Sequence, residues 1–175
     1  MLRLVQITKM NIQEALEIQH KIFPRYSARA NYYDSLDDNS NANYFLVYSM
    51  ADCVGITGLY SYSDDKENGW LAFFGLKEEF RGQGIGREML ELSEEYARSK
   101  GFINLRLFTD KYDNLDAINF YKHLGFTFED YNCNKEELKD MFKVVIGSKS
   151  LVDKKVPKWG NKFLNITKQI IKQEC

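Results

Sequence analysis

The stretch "EEFRGQGIGREML", Glu78 to Leu90, sets Gly82, Gly84 and Gly86 at alternate positions just before a helical pattern. Glycine costs about 1 kcal/mol against alanine inside a helix, so glycines at a helix start need a reason. Two exist: a tight turn, or a backbone that another group must approach closely. At a helix start the unpaired N–H groups and the positive end of the dipole point the same way. Without side chains over them, those donors become reachable by a large anion such as a diphosphate. The backbone of Gln83 to Arg87 is therefore expected to cradle one. Arg81 and Arg87 flank the turn and can add charge-assisted bonds to phosphate oxygens.

Two familiar nucleotide motifs fail on spacing. The Walker pattern requires Gly-Lys-Ser/Thr after its glycines, and no such run follows Gly84. The dinucleotide fingerprint is Gly-x-Gly-x-x-Gly, whereas Gly82-Gln83-Gly84-Ile85-Gly86 reads Gly-x-Gly-x-Gly. Taken alone, the segment also fits a glycine-rich loop with no ligand.

Outward from the turn, strands and helices interleave. "LRLVQI" at Leu2 is a first strand. Asn11 with Glu14 resembles a capping box opening a helix that Pro24 ends. Residues 25–42 suggest a short helix and a loop. "NYFLVYSM" and "CVGITGLYSY" form a hairpin about Ala51-Asp52, and "GWLAFFGL" is a third long strand. Ile85, Met89, Leu92 and Tyr96 then mark one face of a helix running to about Lys100. "INLRLFT" is a strand, "LDAINFYKHL" a helix stopped by Gly125, "FTFEDY" a strand, and residues 141–146 the last strand. The order predicts an α/β domain around one mixed sheet. Phe163, Ile166 and Ile170 stand at helical spacing, which predicts a short amphipathic helix in a C-terminal extension, residues 148–175, beyond a domain spanning 1–147.

At 175 residues, 44% of them hydrophobic, the chain can bury one sizeable core. No apolar run approaches the roughly 20 residues that span a bilayer, and "MLRLVQITKMN" has no long apolar region, so neither membrane nor secretory leader is expected. Three widely spaced cysteines, Cys53, Cys133 and Cys175, suggest a reducing, cytoplasmic setting. The net charge of -1 gives no field that would draw the protein onto nucleic acid. The basic run Lys154 to Lys158 reads as a solvated linker.

Arg81-x-x-Gly84-x-Gly86 resembles the pyrophosphate motif of the GNAT family of N-acetyltransferases. "NLDAINFYKHLGF" adds a second likeness, with Asn114, Ala117, Phe120, Tyr121, Gly125 and Phe126 in the family's register. The pair occurs in order with a strand between, and the likeness covers about residues 43–130. The resemblance implies a mostly antiparallel central sheet flanked by helices, with a V-shaped splay between the fourth and fifth strands. It implies acetyl-CoA as the acyl donor, held by Arg81, Gly82, Gln83, Gly84, Ile85, Gly86 and Arg87 at the diphosphate. Phe74, Leu76, Asn114 and Tyr121 would hold the pantetheine arm. It also implies that a backbone N–H near Leu76 faces the thioester oxygen and that Tyr121 protonates the departing sulfur. No metal is expected.

Function is then read as acetyl transfer to a primary amine of a small molecule or peptide, by a monomer or homodimer. The alternative is an acyl-CoA-binding sensor or interaction module that catalyses nothing. Gly75 within a strand marks either a bulge or a close approach of another chain. For the acceptor's proton, Glu67, Asp110 and Asp34 are candidates and none is singled out; His20 and His123 read as surface or helix-face residues. Tyr26, Tyr32, Tyr33, Asp34, Asp37 and Asp38 suit a cation, or form an ordinary solvated loop.

Overall fold

A computed structural model describes residues 1–131, 143–160 and 162–165. Its elements are β1 (Leu2–Gln6), α1 (Ile12–Ile22), α2 (Arg29–Asp34), β2 (Ala42–Ser49), β3 (Asp52–Tyr60) and β4 (Asn68–Leu76). There follow α3 (Ile85–Ser99), β5 (Asn104–Asp110), α4 (Leu115–His123), β6 (Thr127–Asp130) and β7 (Val144–Ser150). The seven strands make one sheet in the order β1-β2-β3-β4-β5-β7-β6. Every neighbouring pair is antiparallel except β4 and β5.

Period-3.6 apolar faces decide how the helices cover this sheet. Ile12, Ala15, Ile18 and Ile22 of α1 and Tyr32 of α2 join a core with Tyr44, Leu46, Ile56, Trp70, Phe108 and Ile146. On the opposite face Leu90 and Ala97 of α3 and Tyr121 of α4 pack with Leu59, Leu71, Leu105 and Leu107. Strand β5 alternates between the two layers, as a strand buried on both faces must. The third cluster seats Met89 against Leu2, Val47 and Val54.

The sequence-based expectations meet three differences. Asn11 stands at the start of α1, but its side chain makes no cap bond. It turns back instead, accepting from the Thr8 N–H at 2.7 Å and donating to the Gln6 carbonyl at 3.0 Å. Glu14 accepts from the Tyr48 hydroxyl rather than closing a box. The last strand begins at Val144 and runs past residue 147 to Ser150; residues 141 and 142 lie outside the described residues. Phe163 lies in an irregular segment, while Ile166 and Ile170, on which the tail helix was expected, lie outside the described residues.

Strands β4 and β5 form the ladder that positions the site. Their register covers Asn68↔Asn104, Gly69↔Leu105 and Trp70↔Arg106, and no further pairing between them continues toward Leu76 and Asp110. Arg106, 2% exposed, fastens this paired end. Its guanidinium donates to Asn68 Oδ1 at 2.6 Å, Ser148 Oγ at 2.7 Å and the Pro157 carbonyl at 2.9 Å. Glu129 in turn accepts from the N–H groups of Trp159 and Gly160 at 2.9 and 2.8 Å. Trp159 and Leu164 thereby enter the α1-side core.

Candidate active site

The glycine turn begins where β4 ends. A single 3-10 turn, Glu78–Phe80, leads into it, and Arg81 Nε donates to the Leu76 carbonyl at 3.2 Å. Gly82 and Gly84 have φ of 72° and 81°, left-handed values that cost other residues about 1–2 kcal/mol. A Cβ built on either meets nothing within 4 Å, so the space above the turn is open. Gly84 is the residue before α3, and no side chain caps the helix. Arg87 and Glu88 return their N–H groups to the Gly84 carbonyl. The N–H groups of Ile85 and Gly86, in the helix's first turn, have no partner among the described residues. Gln83 leans away, donating to the Glu79 carbonyl at 2.9 Å. At Gly86 a Cβ would come into ordinary contact with the Phe120 ring, at 3.4 Å, so a larger side chain would crowd it. Open donors, a dipole end and two arginines fit a diphosphate.

A cleft of about 180 Å³ is lined by residues of β4, β5 and α4. Leu71, Phe74, Leu107, Asn114, Ala117 and Tyr121 line it from the α3/α4 side, and Phe23, Tyr26, Phe73, Phe108 and Asp110 from the α1/α2 side. The walls come from both layers of the core.

Tyr121 stands deep in this cleft, 7% exposed, with its ring 5.8 Å from Phe74 and 5.2 Å from both Phe120 and Phe126. Among the described residues its hydroxyl has no hydrogen-bond partner. Burial pushes the phenol above its ordinary range, so it carries its proton at neutral pH. Asn114 precedes α4, yet its side chain makes no cap bond and stays available to the cleft.

Of the two readings that Gly75 offered, a bulge is present in β4 beside it. Ile56 pairs with Gly75 but Gly58 pairs with Ala72, so β4 carries one extra residue. Phe73 takes φ of 47° there, an uncommon conformation for an aromatic residue. Its ring turns to the α1 side, 6.1 Å from Phe23 and 6.3 Å from both Tyr32 and Tyr44. Gly75, two residues on, serves close packing: a Cβ there would meet Ile22 at 2.5 Å and Phe23 at 2.8 Å.

The expected tyrosine and aspartate cluster does not converge. Tyr26 lines the cleft, but Tyr32 is fully buried in the core and Tyr33 is exposed under Arg29. Asp37 and Asp38 line a separate polar hollow with Gln6, Lys9 and Asn43. Of the three acids named for the acceptor's proton, Glu67 precedes the paired end of β4, Asp34 is exposed at the end of α2, and Asp110 lines the cleft. His20 and His123 are both exposed.

The model of the acetyltransferase (GNAT) family matches residues 11–126. The chain belongs to this family. It is 32% identical over 122 residues to the spermine/spermidine N(1)-acetyltransferase of Bacillus subtilis (strain 168), a match covering 61% of this chain and 77% of that one. A GNAT family acetyltransferase from Elizabethkingia anophelis, solved with acetyl-CoA bound, superposes with a TM-score of 0.66 at 16% identity, covering 85% of this chain and 97% of the other. The ribosomal-protein-S18-alanine N-acetyltransferase of Escherichia coli gives 0.66 at 16% identity, covering 91% and 99%. These likenesses establish the GNAT fold. By family the chain is an N-acyltransferase whose donor is acetyl-CoA.

Proposed function

We propose that this GNAT chain moves an acetyl group from acetyl-CoA to a primary amine of a small molecule or peptide. The observation that carries the reading is the cleft between β4, β5 and α4, onto which Tyr121 brings a hydroxyl with no partner among the described residues, together with the open glycine turn that follows β4. The stretches of β4 and β5 beyond Trp70 and Arg106 are the splay that admits the pantetheine arm. The diphosphate rests on Gly82 to Arg87 with Arg81 beside it, while Phe74, Leu76 and Asn114 bond the arm's amides. A backbone N–H near Leu76 polarises the thioester oxygen, a kind of contribution worth about 3–4 kcal/mol where tested. The Tyr121 hydroxyl protonates the leaving sulfur. A sensor that binds acyl-CoA without catalysis would have no use for that hydroxyl, unpartnered among the described residues.

The same reading sets the chain in the cytoplasm, as a monomer or homodimer without nucleic-acid partners. Its support is the net charge of -1, the sparse cysteines and the absence of any membrane-crossing helix among the described residues. The segment following β7 acts as a C-terminal extension of the catalytic unit.

The relatives act on different amines by name: spermine and spermidine in one case, a ribosomal protein's alanine in another. The test is calorimetry with CoA, followed by thiol release from acetyl-CoA across amines, peptides and aminoglycosides. CoA binding with amine-dependent thiol release supports the reading; CoA binding with no turnover on any amine favours the sensor.

A further inference from the structure

We infer that Asp110 receives the acceptor's ammonium group and takes its proton, at a mouth of the cleft facing away from the CoA turn. This rests on the acetyl-transfer reading above. Along β5, Leu107 belongs to the α3/α4 layer and Phe108 to the α1/α2 layer. Asp110 follows Phe108 by two residues and so shares its face. The glycine turn, Asn114 and Tyr121 lie on the other face. Donor and acceptor therefore enter from opposite sides of the sheet and meet between β4 and β5.

The carboxylate is held in place. Its Oδ1 accepts from the Tyr112 N–H at 3.1 Å and from the Lys143 N–H at 3.0 Å, two donors far apart in the sequence. Its backbone carbonyl accepts from Asn114 N–H at 3.1 Å, at the start of the helix that carries Tyr121. No described residue bonds Oδ2, which is left for a ligand. Phe23, Tyr26, Phe73 and Phe108 line the same cleft and supply apolar and aromatic walls. One fixed carboxylate in an aromatic-lined cleft suits a single ammonium on an apolar body.

The step balances as follows. The ammonium gives a proton to Asp110, and the neutral amine forms a C–N bond at the thioester carbon. The C–S bond breaks and the sulfur takes a proton from Tyr121. The surplus proton on the new amide nitrogen restores Tyr121, and Asp110 returns its own proton to water.

The experiment uses 2-phenylethylamine and spermidine as probes with the full chain and Asp110→Asn. Asparagine keeps an oxygen for the two backbone donors, so the loop is preserved. The expected result is transfer to phenylethylamine by the wild type at neutral pH. In Asp110→Asn, turnover at neutral pH falls about a hundredfold or more and the pH profile comes to follow the fraction of free amine, while CoA affinity changes less than threefold. An unchanged pH profile in the variant overturns the inference, as does loss of CoA binding together with turnover, which would make Asp110 structural. Wild-type transfer to spermidine but not phenylethylamine, or to neither despite CoA binding, also overturns it. Failure of the wild type to bind CoA removes the acetyl-transfer reading itself.

Discussion

Arg106 donates from Nε to Asn68 Oδ1 at 2.6 Å, with both residues buried. The bond joins β5 to β4 at the one stretch where the two strands pair. Asn104 also donates to this oxygen, at 3.2 Å, so a single acceptor serves two donors. Asn68→Ala should therefore destabilise the fold by about 2–3 kcal/mol, the scale of leaving a buried charged donor without its acceptor. Urea unfolding measures it, and a change below about 0.5 kcal/mol would contradict the clamp. Arg106→Met removes the charge together with its needs and should cost less than breaking the pair from the Asn68 side.

Gly84→Val and Gly86→Val should both weaken CoA binding, for different reasons. At Gly84 a branched residue must adopt φ near 81° at a cost of about 1–2 kcal/mol, and its side chain covers open donors. At Gly86 the side chain presses on Phe120, which packs against Tyr121. Calorimetry should show at least a tenfold loss in each. Wild-type affinity in both variants would end the cradle argument.

Tyr121→Phe keeps the ring contacts with Phe74, Phe120 and Phe126 and removes only the hydroxyl. Turnover should drop about a hundredfold to ten-thousandfold, or roughly 3–5 kcal/mol, with CoA affinity within a few-fold. Where chemistry limits the rate, near-normal turnover would make Tyr121 a packing residue.

Stability should fall on the alkaline side. Burial pushes the Tyr32, Tyr60 and Tyr121 phenols up and Tyr44 to about 12. Phenols in the unfolded chain lose their protons near pH 10 while the native ones keep theirs. Their contribution is intact below about pH 10 and is lost as pH rises through about 12. Tyr32 offers the cleanest check, because its buried hydroxyl has no partner among the described residues. Tyr32→Phe should leave neutral-pH stability unchanged or up to about 1 kcal/mol higher, and should flatten the alkaline decline. A loss above 1 kcal/mol at pH 7 would show that the hydroxyl is satisfied.

Local patterns in the chain carried much of this architecture. The 3.6-residue periods of α1 and α3 and the open glycine turn after β4 could be read directly, because each depends on neighbours a few residues away. So could the register of Asn114 and Tyr121 in one helix. Gly75 already offered a bulge in β4, but the positive φ of Phe73 could not be read, since an aromatic residue reaches it only under tertiary packing from Phe23, Tyr32 and Tyr44. Asp110 stood among three equal acids until strand parity and the return of Lys143 gave it a face and a fixed carboxylate. The bulge that Gly75 offered lies beside it, and the close seat of Ile22 and Phe23 against it was the part that spacing did not show. At Asn11 a sound capping pattern lost to bonds with Thr8 and Gln6, a competition between local partners that sequence spacing leaves even.

The protein's two tryptophans, Trp70 and Trp159, meet edge to face with ring centroids 4.9 Å apart, and both are buried. Neither lines the cleft. Intrinsic fluorescence under selective tryptophan excitation is thus blind to events among the cleft's phenylalanines and tyrosines. It watches one junction instead, where the segment after β7 docks beside Arg106. Emission from this molecule is a gauge of whether that segment is seated, and any spectral change on adding CoA would have to travel there along β4 or β5.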